Sequence, residues 1–311
     1  MKILLGTFLV GFMTLIAVER TEPANQDKEL GKVSWFRNYD EAIKEAQRLN
    51  KPIFCFFQEV PGCATCRNYG FDVMSDPIMV DFIENEFIPL CIFNNKKGHD
   101  AEILKMFGEP SWNNPVVRIL DVKGNSVKRI HGKYSTKAVL EESIHALKVT
   151  NSVPLYAELY HQELSARQKE ALYFQMYCFW SGEGKLGDIE GVVGTEPGWM
   201  NGAEVVRVYS DGNELGKKEL LEEGEKRGLK YVDEPGTFRE DKDPQYYLKN
   251  SKYASIPLLE IQKTRINSSL YNGNDPSVFL SPSQLKWLDQ KSVNSEYEKN
   301  FRTTWWTRKG L

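Results

Sequence analysis

The chain has 311 residues, 41% of them hydrophobic, and a formal net charge of −3. That length accommodates two ordinary domains, and that apolar content supports packed cores rather than an intrinsically disordered polymer. The mild negative charge leaves no basic footprint for nucleic acid, and the four histidines, at 99, 131, 145 and 161, stand apart from every cysteine, which excludes the usual spacings of a structural zinc site.

Met1-Lys2 precede an almost unbroken apolar run from Ile3 to Val18. Residues 1–18 therefore read as a signal peptide, or as an uncleaved membrane anchor because no clean small-residue cleavage site follows. Either reading puts the folded part outside the cytoplasm, periplasmic or secreted. Residues 19–32 are polar and read as a linker. Asp40 is the expected N-cap of a helix to Leu49, with Ala42, Ile43, Ala46 and Leu49 on one face. Asn50 and Pro52 end it. Ile53 to Phe57 is a continuous apolar run, as in a strand buried on both faces.

That strand leads straight into Val60-Pro61-Gly62-Cys63-Ala64-Thr65-Cys66. Further strands are expected at Phe87–Phe93, Val116–Leu120 and Ser126–Ile130, the last two joined by a turn at Lys123-Gly124-Asn125. Ser135 or Thr136 caps a helix to about Val149. Residues 33–150 thus read as an α/β domain.

Residues 151–168 read as a linker with some helix, from Tyr156 to Leu164. A second domain is expected over 169–290, with a tail at 291–311. A strand from Ala171 delivers Cys178, and a helix runs from Trp180 to Ile189 with Glu183 facing solvent. Gly191, Gly194, Pro197, Gly198 and Gly202 mark a loop-rich stretch. A strand follows at Ala203–Tyr209, then a turn at Asp211-Gly212-Asn213 and a helix at Leu215–Arg227. Residues 232–245 are charged and rich in turn formers, and Trp305-Trp306 in the tail packs on the domain or meets a partner.

A C-x-x-C loop between a strand and a helix suits thiol–disulfide exchange, because the helix N-terminus stabilises a thiolate and the two sulfurs can close a small ring. Cys63 is the expected attacker and Cys66 its partner one turn on. The bland reading is a structural disulfide, which so small a ring supports weakly. Cys55 and Cys91 sit in apolar strands and read as buried free thiols, or as a pair with each other. With the Pro of Asn114-Pro115-Val116-Val117 before a strand, this half resembles a thioredoxin-like protein. The resemblance implies that Pro115 is a cis-proline facing the thiols. The Val60-Pro61-Gly62-Cys63 loop resembles the secreted group in which that Cys is sometimes selenocysteine. Pro61-Gly62 stand where ordinary thioredoxins have Trp-Gly.

A lone thiol beside two aromatics, Cys178-Phe179-Trp180, suits a nucleophile in an apolar pocket. With Glu183, then Ile189-Glu190-Gly191-Val192, Gly198-Trp199-Met200-Asn201-Gly202, Ala203 to Val208, and Asp241 to Tyr246, it resembles the A-type peptide methionine sulfoxide reductases, an α+β fold. The resemblance implies that Cys178 attacks the sulfoxide sulfur. Phe179, Trp180 and Trp199 would wall the S-methyl pocket. Glu204 would protonate the oxygen, a task calling for a raised pKa. Tyr246 and Asp241 would hydrogen-bond the oxygen or orient a water. Tyr177 and Ser181 replace the family's flanking glycines, Trp199 replaces a Tyr, and no cysteine follows Cys178 to resolve it.

The combined expectation is an extracytoplasmic oxidoreductase of the protein-repair type. Its Cys63–Cys66 pair supplies electrons to Cys178, with oxidised peptide methionine as substrate, an external thiol as reductant, and no metal or organic cofactor. The alternative is a thiol–disulfide oxidoreductase with a degenerate, substrate-binding second domain.

Overall fold

The structure is a computed structural model and describes residues 26–112, 115–166, 171–210 and 216–290. The apolar run at 3–18, Asn114, the turn at 211–213 and Trp305-Trp306 lie outside those residues.

A single 3-10 turn at Lys28–Leu30 buries Glu29 and Leu30, so the end of the segment read as a linker belongs to the packed body. Asn38, rather than Asp40, caps α1 (Tyr39–Leu49), accepting from the Glu41 N–H at 3.1 Å. Asp40 then falls in the first turn, where the helix dipole favours an acid. Asn50 closes α1 in the left-handed conformation at φ 51°.

β1 (Ile53–Gln58) is buried throughout. It is followed by α2 (Ala64–Asp72), α3 (Pro77–Glu86), β2 (Ile88–Phe93), α4 (His99–Met106), β3 (Val116–Leu120), β4 (Ser126–His131) and α5 (Thr136–Thr150). The sheet order is β2-β1-β3-β4, with β1 parallel to β2 and antiparallel to β3. Alternation sends Phe54 and Phe56 into one apolar layer and Ile53, Cys55 and Phe57 into the other. Cys91 shares the layer of Phe54 and Phe56, so Cys55 and Cys91 lie on opposite faces, both as free thiols.

The helix expected from Tyr156 to Leu164 is α6 (Leu155–Ser165), and it is packed rather than a free linker, with Tyr156, Ala157, Leu159 and Tyr160 buried. The Tyr160 hydroxyl donates to Asp76 at 2.5 Å and that of Tyr156 to Glu86 at 3.2 Å, tying α6 to both ends of α3.

The second lobe comprises β5 (Ala171–Gln175), α7 (Phe179–Leu186), β6 (Val192–Met200), β7 (Ala203–Ser210), α8 (Lys217–Lys226), β8 (Lys230–Tyr231), β9 (Arg239–Glu240), α9 (Tyr246–Lys249), α10 (Glu260–Tyr271) and α11 (Pro282–Gln290). Its antiparallel sheet has the order β8-β5-β7-β6-β9. The stretch read as loop from its glycines is β6, paired with β7 from Val192 to Met200. Gly198 is required there, because a Cβ would meet the Arg239 carbonyl at 2.5 Å and the Phe238 ring at 2.5 Å.

The lobes share an apolar core in which Val193, Leu259 and Ile261 join the first lobe's residues. The Ser283 N–H donates to Asp81 at 3.2 Å and the Ile261 N–H to Glu163 at 2.9 Å. Among the described residues, the larger contacts between lobes pair α6 with α10 and with the 3-10 turn Pro276–Phe279, and α3 with α11; α2 makes none of these.

Candidate functional site

Cys63 is the N-cap of α2 and is exposed, while Cys66, inside the first turn, is buried. Their Sγ atoms are 3.6 Å apart, close enough for a disulfide to form with a small movement. Burial first, and then the hydrogen bond with the Cys63 thiol, push the Cys66 thiol up to about 11. Cys63 moves the other way: the Cys66 N–H donates to its sulfur, and the Cys66 thiol with the N–H and hydroxyl of Thr65 holds it further below the ordinary thiol range. The pair is therefore divided into an exposed, more acidic thiol and a sealed, less acidic one.

The loop before it is clamped from three sides. The buried Gln58 ends β1; its Nε2 donates to the carbonyls of Glu29 and Cys66 at 3.1 and 3.2 Å, and its Oε1 accepts from the Glu59 N–H at 3.1 Å. The buried Glu29 carboxylate accepts from the Gly62 N–H at 2.9 Å. Asn95 accepts from the Val60 N–H at 3.4 Å and donates to its carbonyl at 3.2 Å. Gly62 admits no side chain, since a Cβ would lie 2.5 Å from the Glu59 carbonyl and 2.6 Å from the Cys66 Cβ. Val60–Pro61 is a cis peptide bond. Pro115 is buried directly before β3; the cis bond expected there joins it to Asn114, outside the described residues.

The polar end of an otherwise apolar strand was the visible signal for Gln58. Glu29 gave none, because it lies in a polar segment remote in sequence.

The second site gathers around Cys178, the half-buried N-cap of α7. Phe179 is buried against it, edge-on to Trp180 at 5.6 Å and to Trp199 at 5.4 Å between ring centroids. Tyr246 stacks on Trp180 at 4.3 Å, and Tyr247 meets Tyr246 edge-on at 5.5 Å. Burial first, and then the neighbouring Cys178 sulfur, raise the Tyr247 hydroxyl, so Tyr247 belongs to the site although the sequence marked only Tyr246. Glu204, opposite Trp199 in the sheet register, accepts from the Phe179 N–H at 2.8 Å and so caps the first turn of α7. The Trp180 indole N–H is buried and has no hydrogen-bond partner among the described residues.

Glu183 corrects the expectation of a solvated helix residue, for it is fully buried. It accepts from the Gln245 N–H at 3.0 Å and from the Thr195 hydroxyl at 3.4 Å. Burial pushes its carboxyl up to about 8 against the pull of the Gln245, Thr195 and Tyr246 hydrogen bonds, and the charge of Asp241 adds to the rise. Gln245 is held at φ 55°, its side chain donating to the Thr195 carbonyl at 3.0 Å. Asp241 accepts from the Asp243 N–H at 3.0 Å, fixing the turn that delivers Gln245 and Tyr246. The structure thus brings Cys178, Phe179, Trp180, Trp199, Glu204 and Tyr246 together, with Asp241 near Glu183 in the turn that leads to Gln245.

Residues 34–122 match a family described as thioredoxin-like. A solved structure titled DsbH oxidoreductase is similar at 16% identity and a TM-score of 0.34, over 42% of this chain and 94% of its own. The solution structure of a thioredoxin from Thermus thermophilus is similar at 21% identity and a TM-score of 0.32, over 38% of this chain and 86% of its own. No curated protein matches the chain. Residues 34–122, with the Cys63–Cys66 pair at the start of α2, form a thioredoxin-like domain.

Proposed function

We propose that the chain is a thiol–disulfide oxidoreductase whose thioredoxin-like lobe supplies electrons to a peptide methionine sulfoxide reductase site at Cys178. The observation that carries the first half is the unequal pair: an exposed Cys63 with its thiol shifted down, 3.6 Å from a buried Cys66 shifted up. Exchange needs that inequality, because one sulfur must attack an outside partner while the other waits to displace it. The second half is supported by the aromatic wall of Phe179, Trp180 and Trp199 beside a half-buried thiol, which accepts a methyl group and excludes water, and by the carboxylate of Glu204 one residue away.

In the proposed cycle the Cys178 thiolate attacks the sulfoxide sulfur. Two electrons pass to that sulfur, the S–O bond breaks as the oxygen is protonated, and the oxygen ends on Cys178 as a sulfenic acid. The Cys63 thiolate attacks the sulfenic sulfur and water leaves. Cys66 then attacks Cys63, releasing the Cys178 thiol and leaving a Cys63–Cys66 disulfide. An external dithiol resets the pair. Reduction of one sulfoxide therefore consumes one dithiol and yields one sulfide and one water. The N-terminal run fits export or anchoring, which would place this repair chemistry outside the cytoplasm, away from a glutathione pool of cytosolic strength.

One observation favours a second reading: Glu204 is occupied in capping α7. A second lobe that binds oxidised segments without reducing them would leave exchange at Cys63 as the sole chemistry.

Mixing reduced protein with one equivalent of a methionine sulfoxide peptide, then mapping disulfides by mass spectrometry, separates these. Methionine peptide together with a Cys63–Cys66 disulfide is the expected result. Insulin disulfide reduction without peptide reduction leaves the second reading, and inertness in both assays overturns both.

A further inference from the structure

We propose that Glu59, Cys63 and Cys66 together bind one zinc-class divalent cation, with two thiolates and a carboxylate as donors and the fourth position open to water. The carboxylate oxygen and both sulfurs lie within 4.8 Å of one another. The sulfurs are 3.6 Å apart, and a tetrahedral ion with zinc–sulfur bonds of about 2.3 Å holds two sulfurs about 3.8 Å apart. The bite is thus set to within a few tenths of an ångström. A carboxylate oxygen on the same ion sits roughly 3.5 Å from each sulfur, a gap that rotation of the half-exposed Glu59 side chain closes.

The donors stand on firm supports. Glu59 follows the last residue of β1, with its N–H held by Gln58, and Cys63 begins α2. Gly62 between them is fixed by Glu29. Such clamping pre-organises a ligand set. Thiolate donors select soft or borderline ions, and three protein donors with an open position suit zinc, whereas copper(I) favours sulfur alone.

The carboxylate is the informative member. To a cation it is the third donor. Binding displaces the thiol protons into solvent and changes no oxidation state. Oxidation of the pair ties up both sulfurs, so metal occupancy and disulfide exclude each other. The site does not depend on what Cys178 does.

The test uses the full chain, reduced and stripped with a chelator, titrated with Zn²⁺ in competition with a chromophoric indicator, and with Co²⁺ as a spectroscopic probe of thiolate ligation. One ion per chain is expected, with proton release and thiolate-to-cobalt charge-transfer bands. Wild type oxidised at Cys63–Cys66 should bind none, a comparison that needs no variant to fold. Glu59→Gln should weaken Zn²⁺ binding by about tenfold or more, while Cys178→Ser should keep the stoichiometry. Equal binding by reduced and oxidised protein, loss of binding in Cys178→Ser, or wild-type affinity in Glu59→Gln would each overturn the assignment.

Discussion

The Sγ atoms of Cys63 and Cys66 lie 3.6 Å apart, yet one faces solvent and the other is sealed beneath the first turn of α2. Depth rather than distance decides their chemistry. The thiolate is the reactive form, and its fraction at neutral pH rises as the pKa falls. With Cys63 shifted down by the Cys66 N–H and Cys66 pushed up to about 11 by burial, Cys63 should react first. Iodoacetamide at pH 7, in a metal-free buffer with chelator, should label Cys63 at least tenfold faster than Cys66, read by peptide mass spectrometry. Comparable labelling of both would mean that the sealed position is open in solution.

Glu29 and Gly62 form the second dependency. A buried carboxylate accepting from a backbone N–H is a charge-assisted bond, and its removal strands the donor. Glu29→Ala should cost about 2 kcal/mol of stability in urea unfolding and slow insulin reduction, because the clamped loop loosens. Glu29→Gln retains an acceptor and should lose less of both. Gly62→Ala should impair exchange more than Glu29→Gln, since its methyl has no space beside the Glu59 carbonyl.

What could be read in the sequence and what could not divide along physical lines. The first lobe's strands announced themselves, because Ile53–Phe57 is an unbroken apolar run after Pro52, and Val116–Leu120, apolar but for Arg118, lies between Pro115 and the Lys123-Gly124-Asn125 turn. The helix α10 had no such announcement. Beside Ile261 and Ile266 its buried side carries Gln262, Thr264, Arg265, Asn267 and Ser268, and Gln262, Arg265, Ser268 and the Asn267 amide oxygen find hydrogen-bond partners in neighbouring segments, so no continuous apolar stripe marks it. Gln262 and Gln284 exchange side-chain hydrogen bonds at 2.8 and 2.9 Å, a pairing invisible before the chain is folded. β6 was masked for the opposite reason, its glycines serving close packing rather than turns. At the sites, Cys63, Cys66 and Cys178 were legible as residue types in context. Gln58 left one trace, a polar end to an apolar strand, whereas Glu29, Gln245 and Tyr247 left none, because their importance lies in contacts made across the fold.

Glu204 has two separable jobs. Its carboxylate caps α7 through the Phe179 N–H, and in the proposed reaction it delivers a proton to the sulfoxide oxygen. Glu204→Gln keeps the cap acceptor and removes the acid; its stability should stay near wild type while sulfoxide reduction falls at least a hundredfold. Glu204→Ala should lose both, with about 1 kcal/mol of stability gone as a lost cap. Equal activity of Glu204→Gln and wild type would leave Glu204 as a cap alone.

Glu183 gives the pH dependence its sign. Its carboxyl is raised from 4.5 to about 8 in the fold, chiefly by burial. Below about pH 4.5 both folded and unfolded chains hold the proton, and nothing is gained or lost. Between there and about pH 8 the unfolded chain ionises while the folded one stays protonated, so stability falls as pH rises. Above that window the penalty is constant, at most about 5 kcal/mol for a shift of this size. Urea midpoints measured from pH 5 to pH 9 should decline in wild type and decline less in Glu183→Gln, which stays neutral throughout. Parallel profiles for the two proteins would show that another group carries the effect.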